Sequence, residues 1–122
     1  MNVEHLGIYA VDPAALAAWY GEVLELKELR RITKEGRPPV VFLQGETGAV
    51  IEILPTDDAP ARRELTSPGF AHLGIAVADF AAEEARLEAL GIDLWGIRST
   101  SNGWRIGYFR DPEGNILELV QR

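Results

Sequence analysis

The chain has 122 residues, 47% hydrophobic and 25% charged, with a formal net charge of −7 and no cysteine. That length suits one compact domain. The acidic balance argues against a nucleic-acid binder or an anionic membrane surface, because both need positive charge to displace counterions. The lack of cysteine removes disulfides, thiolate zinc sites and cysteine nucleophiles. No stretch approaches the 18 apolar residues of a membrane span and no leader pattern is visible, so a cytoplasmic protein is the expectation.

Residues 3 to 10 alternate as a strand, with Leu6, Ile8 and Ala10 on one face and Val3, His5, Gly7 and Tyr9 on the other. Asp12-Pro13 opens a helix, the aspartate capping free amides and the proline suiting the first turn. Leu16, Trp19, Tyr20 and Val23 form its apolar stripe, and it fades between Gly21 and Leu24. A second strand is predicted over 25–32, followed by a polar loop from Thr33 to Pro39. Val40–Gln44 and Ala49–Leu54 read as strands joined by a Gly45–Gly48 hairpin turn. On the latter strand Val50, Glu52 and Leu54 share a face and Ile51 and Ile53 take the other.

Residues 55 to 71 form a connector, with a helical turn expected around Ala61 to Leu65. Ala71–Val77 is the next strand, with Leu73, Ile75 and Val77 opposite His72, Gly74 and Ala76. Asp79 caps a second helix whose buried stripe is Phe80, Leu87 and Leu90, with Ala81 and Ala85 packing close and Gly91 ending it. A short strand is expected over Ile92–Ile97, then a polar loop from Arg98 to Gly103. Arg105–Arg110 and Ile116–Gln121 make the last hairpin, turned by Asp111-Pro-Glu-Gly114.

The order strand, helix, strand, strand, strand thus occurs twice. The segment His5-Leu-Gly-Ile-Tyr-Ala-Val-Asp12 returns 67 positions later as His72-Leu-Gly-Ile-Ala-Val-Ala-Asp79. Glu52, between Ile51 and Ile53, answers to Glu118, between Leu117 and Leu119. This is an internal duplication. It divides the chain into a first module of about 1–55, a connector of about 56–70 and a second module of about 71–122. The expected fold class is α+β, two βαβββ modules forming a cupped, partly closed mixed sheet.

A carboxylate inside an apolar strand is costly unless something neutralises it. Here that occurs twice, at Glu52 and Glu118, with no lysine or arginine nearby on the same strand face. Both histidines of the chain fall at equivalent places in the two copies. Two imidazoles and two carboxylates suit one divalent ion with positions left for water or substrate: zinc, nickel, manganese, cobalt or ferrous iron. The competing account is that duplication copied a histidine and a glutamate that serve packing. A cross-strand partner such as Arg105 or Arg110 for the carboxylates is the other alternative.

The repeated histidine motif, the helix with Trp19-Tyr20, the segment Val23-Leu-Glu-Leu26 and the ending Asp111-Pro-Glu-Gly-Asn-Ile-Leu-Glu-Leu-Val120 resemble the vicinal oxygen chelate superfamily. That group includes glyoxalase I, methylmalonyl-CoA epimerase, extradiol dioxygenases and bleomycin-binding proteins. The resemblance spans essentially the whole chain. It implies metal ligands at His5, Glu52, His72 and Glu118, the pattern of the glyoxalase I and epimerase branch, with zinc or nickel foremost. It implies Glu118 as the base, with Glu52 as the alternative, in proton transfer beside a metal-bound carbonyl through an enediolate. The runner-up is an epimerase or ring-cleaving dioxygenase, and a third reading is a non-catalytic drug-binding protein. Small-molecule contacts are expected from Tyr9, Arg98, Trp104 and Arg105; the aromatic residues, with Trp95 and Tyr108, serve equally as core packing. A homodimer is expected from apolar module ends. Two positions depart from the family pattern. Glu25 stands where a glycine is usual after the first helix, so that turn is expected to differ. Tyr9 lies near the place of an arginine that helps hold glutathione in the glyoxalase I subgroup.

Overall fold

A computed structural model of the chain describes residues 1–59 and 62–122. The chain divides into two compact units, Met1–Pro60 and Ala61–Arg122. Each carries a four-stranded mixed sheet with one helix, an α+β architecture.

In the first unit the elements are β1 (His5–Ala10), α1 (Pro13–Val23), β2 (Lys27–Lys34), β3 (Arg37–Gln44) and β4 (Val50–Pro55). The sheet order is β1-β4-β3-β2, with β1 and β4 parallel and the other pairs antiparallel. The Asp12 carboxylate accepts from the Ala15 N–H at 3.0 Å and so starts α1 as its sequence predicts. Leu16, Ala17, Tyr20 and Val23 are buried from the helix, and Val41, Leu43, Ile51 and Ile53 from the strands. Ala17 thus joins the stripe, while Trp19 is half-buried and tilted against Tyr20.

The predicted loop from Thr33 to Pro39 is instead strand on both sides of a two-residue turn, Glu35-Gly36, with Gly36 at φ +68°. Two adjacent prolines suggested loop because they donate nothing to a ladder. In the structure β3 pairs with β4 only from Val41 onward, and opposite the prolines β2 has a register irregularity between Ile32 and Lys34. The missing donors therefore fall where the ladder asks for few.

In the second unit the elements are β5 (Leu73–Ala76), α2 (Phe80–Ala89), β6 (Trp95–Ser99), β7 (Arg105–Arg110) and β8 (Ile116–Gln121). The order is β5-β8-β7-β6, with β5 and β8 parallel. Asp79 caps α2 by accepting from the Ala82 N–H at 3.1 Å, and Gln121 of β8 accepts from the Phe80 N–H at 2.7 Å. Phe80 and Leu87 are buried, as are Leu117, Leu119 and Phe109 of the strands.

Three expectations change here. Leu90 is the C-cap and 46% exposed, and Ala81 and Ala85 are exposed, so the buried stripe is only Phe80 and Leu87. The strand expected from Ile92 begins at Trp95 and runs to Ser99, because the Ile92 N–H is spent on the Leu87 carbonyl at 2.9 Å in closing the helix. Between 62 and 70 there is a turn at Leu65-Thr66, fixed by Ser67 N–H to the Glu64 carbonyl, rather than a helical segment; Ala61 lies outside the described residues. The final hairpin matches its predicted bounds. Asp111 is buried, and its carboxylate accepts from the N–H groups of Glu113 and Asn115 and from the Asn115 side chain, while Gly114 takes φ +84°.

Candidate metal centre

Each unit brings one histidine and one glutamate together. In the first, Gly7 of β1 lies in register with Glu52 of β4, and His5 is two residues before Gly7 on the same face. Its Nε2 is 3.7 Å from Glu52 Oε2. In the second, Gly74 of β5 lies in register with Glu118 of β8, and His72 precedes it by two. Its Nε2 is 3.3 Å from Glu118 Oε2. A Cβ on Gly74 would stand 3.9 Å from that same Glu118 oxygen, an ordinary van der Waals contact, and one on Gly7 would meet the Leu54 side chain at 3.3 Å.

The carboxylates are half-buried, with side chains 22% exposed at Glu52 and 17% at Glu118. Among the described residues no lysine or arginine comes within ion-pair distance of either. The two arginines that might have paired with them are engaged elsewhere. Arg110 donates to the Gly114 and Arg63 carbonyls, and Arg105 lies over the Phe80 ring at 5.4 Å on the helix side of the sheet. Among the described residues the imidazoles are the ionisable partners these carboxylates meet.

Sequence reasoning overlooked one neighbour. His5 Nδ1 donates to the Glu4 carboxylate. That contact, first by its hydrogen bond and then by its charge, raises the His5 pKa above the ordinary value. The copy has Ala71 at the corresponding place, so comparison of the repeats passes Glu4 over. His72 is instead edge-on to the Tyr108 ring, 5.5 Å between centroids.

The row across each sheet continues the likeness. Arg30, Phe42, Glu52 and Gly7 are successive register partners from β2 to β1, and Trp95, Tyr108, Glu118 and Gly74 from β6 to β5. Each glutamate therefore has an aromatic ring beside it on its own face. The Arg30 guanidinium lies 6.0 Å from the Phe42 ring centre and that of Arg98 5.7 Å from Tyr108. Of the four residues expected to touch a small molecule, Arg98 is brought to this row. Tyr9 shares the face of His5 and is 67% exposed. Trp104 precedes β7 and stacks under Arg122 at 4.4 Å. Arg105, on the face opposite Glu118, is not brought to the pair. Alternation along β7 settles its side, and a longer hydrophobic context in sequence could not.

Two donors bound to one zinc ion at about 2.0–2.2 Å lie roughly 3–3.4 Å apart. The His72–Glu118 separation falls in that range and so has the bite of two adjacent ligands, whereas His5–Glu52, at 3.7 Å, is wider than it. Among the described residues, no three histidine, aspartate or glutamate side chains form a single metal-binding group. The donors come two by two.

Two units of this topology, each with its histidine at the start of the parallel edge strand or just before it and its glutamate on the strand beside it, define a glyoxalase-type fold. A family model described as the Glyoxalase/Bleomycin resistance protein/Dioxygenase superfamily matches residues 2–119, and the chain belongs to that superfamily. It is 32% identical to YwbC of Bacillus subtilis (strain 168), over 99% of this chain and 98% of that protein. Among solved structures, a glyoxalase family protein from Enterococcus faecalis superposes with a TM-score of 0.80 at 27% identity, covering 97% of this chain and 95% of that one. Lactoylglutathione lyase from Agrobacterium tumefaciens superposes with a TM-score of 0.71 at 25% identity, covering 98% and 92%. Among the described residues no helix is long and apolar enough to cross a membrane.

Proposed function

We propose that the protein is a divalent-metal-dependent isomerase or lyase of the glyoxalase type, in the branch that includes glyoxalase I and the epimerases. The observation that carries this is the repeated His–Glu pair: twice a half-buried carboxylate without a cationic partner, twice facing an imidazole nitrogen. His5, Glu52, His72 and Glu118 together hold one ion, zinc or nickel before manganese, cobalt or iron, with the two pairs joined within one chain or between two copies. The similarity to a lactoylglutathione lyase supports the same branch.

Bound there, a divalent ion polarises two neighbouring oxygens of a small substrate and stabilises negative charge as it builds on them. The chain supplies the rest. His5 and His72 would hold the ion, each through a ring nitrogen. Glu118 takes a proton from the carbon next to the polarised carbonyl and returns it to the adjacent atom, with Glu52 as the alternative base. On the Glu118 face the buried Ile116 and Val120 limit water around the migrating proton. Phe42 lies beside Glu52 in one unit and Tyr108 beside Glu118 in the other, with the Arg98 guanidinium 5.7 Å from the Tyr108 ring centre. A homodimer in the cytoplasm is the accompanying expectation.

A second reading is a small-molecule binding protein, favoured by the run of rings and guanidinium groups Arg98, Tyr108, Trp95 and Arg110. Metal titration and solvent exchange separate the two. The enzyme reading expects one ion per His–Glu quartet, weaker binding in both Glu52→Gln and Glu118→Gln, and deuterium uptake from heavy water into a methylglyoxal–thiol adduct or a 2-methyl-branched acyl thioester. Glu118→Gln should lose the exchange while still binding the ligand. Unchanged metal content in both variants, or tight binding with no exchange of any substrate, rejects it.

A further inference from the structure

The geometry points to Glu4 as a positioning residue that fixes the His5 imidazole with its proton on Nδ1 and its Nε2 lone pair toward Glu52. This rests on the metal reading above and extends it to a residue outside the quartet. A neutral imidazole carries its one proton on either ring nitrogen, and only the bare nitrogen can bind a metal. A carboxylate hydrogen-bonded to the far nitrogen removes the choice, holds the ring plane and makes the free nitrogen more basic. Glu4 occupies that place: His5 Nδ1 donates to Glu4 Oε2 while His5 Nε2 faces Glu52 Oε2.

The duplication sharpens the inference. The second copy has Ala71 where the first has Glu4, and among the described residues His72 meets the Tyr108 ring edge rather than a second carboxylate. The two halves of the site are thus not equivalent. His5 is set before an ion arrives, whereas His72 is held chiefly by packing and by Glu118. The role is carried by the side chain alone, because the Glu4 carbonyl is already committed to the Val50 N–H at 3.0 Å. Substituting the side chain therefore leaves the strand ladder intact.

The test uses the metal-free protein first. Long-range nitrogen–proton correlation spectra, recorded at alkaline pH where both imidazoles are neutral, report the tautomer of each histidine. Wild type should show His5 predominantly protonated on Nδ1. Glu4→Ala should show both tautomers, and Glu4→Gln, which keeps an accepting oxygen without the charge, should fall between. His72 should be unchanged in all three and serves as the internal reference. Zinc titration should then show affinity about 10–100-fold lower in Glu4→Ala. A His5 tautomer unaffected by Glu4→Ala overturns the proposal, as does an altered tautomer with unaltered zinc affinity. Wild-type protein that binds no zinc would reject the metal reading, while the metal-free spectra would still decide whether Glu4 orients His5.

Discussion

Glu25 is the only non-glycine among the described residues with a positive φ, at +56°. It follows the C-cap Leu24 of α1, and the corresponding residue of the second copy is Gly91, at φ +77° after the C-cap Leu90 of α2. At Glu25 the backbone is left-handed as at Gly91, so the difference expected of this turn lies in its hydrogen bonds and in the strain a non-glycine residue bears, not in the sign of φ. The helix ends differ in tightness. Behind Gly91 the Gly91 N–H reaches the Glu88 carbonyl at 2.9 Å and the Ile92 N–H that of Leu87 at 2.9 Å, the paired bonds of a Schellman motif. Behind Glu25 the Leu26 N–H reaches the Tyr20 carbonyl at a longer 3.4 Å. An L-residue in this region costs roughly 1–2 kcal/mol, and a glycine returns roughly 0.5–1 kcal/mol of that through greater freedom of the unfolded chain. Glu25→Gly should thus stabilise by about 0.5–1 kcal/mol, since the exposed side chain gives up little else. For a chain of 122 residues this raises the melting temperature by about 2–4 °C. Thermal unfolding followed by circular dichroism measures it. The mirror experiment is Gly91→Glu, where a Cβ meets nothing within 4 Å and backbone strain acts alone, so stability should fall by a similar amount. A Glu25→Gly protein that melts lower than the parent, or two variants that shift in the same direction, would refute the reasoning.

Further outcomes follow from features nearer the site. Gly107 of β7 faces Phe80, Leu94 and Ile97, and a Cβ there would come within 3.1 Å of each. Gly107→Ala should cost about 1–3 kcal/mol through overpacking, read as a lower urea midpoint with unchanged slope. In the metal-free protein the His5 ring should titrate above 6.5, and Glu4→Gln should bring it back toward that value, as followed by proton NMR. Because the folded state binds this proton more tightly than the unfolded one, the resulting stabilisation is complete below the ordinary histidine value. It disappears as pH climbs through the raised one. Zinc competes for the same ring, so apparent zinc affinity should fall as pH drops through that range.

The repeated elements were legible because duplication prints each signal twice. Asp12 and Asp79 cap their helices as expected, and alternation placed His5 with Gly7 and Glu52 with Leu54 on the observed faces. The last hairpin was legible because Asp111 and Gly114 have one economical arrangement. What escaped were places where tertiary context overrides local grammar. Pro38 and Pro39 join a strand because no neighbour on the β4 side asks for their N–H groups. Ile92 is apolar but its amide belongs to the helix cap. Leu90 fits the helical stripe yet turns outward at the cap. In the site, the His–Glu pairing was readable from the repeat, whereas Glu4 was not, because a feature present in one copy only is invisible to comparison between copies. Arg105 was assigned to the ligand side on chemistry alone, and its strand parity puts it with Phe80.

The buried Asp111 has a consequence beyond its own turn. Its three accepted hydrogen bonds, with Arg110 clasping the Gly114 carbonyl at 2.7 Å, determine which residue of β8 stands opposite Tyr108. Side chains alternate along a strand, so a one-residue slip of β8 would send Glu118 into the helix layer and turn Leu117 or Leu119 outward in its place. The donor set would lose a carboxylate without any change in composition. Loss of the Asp111 carboxylate should therefore loosen the register that keeps Glu118 opposite Tyr108, so that a residue of the turn helps to hold the address of a carboxylate further along β8.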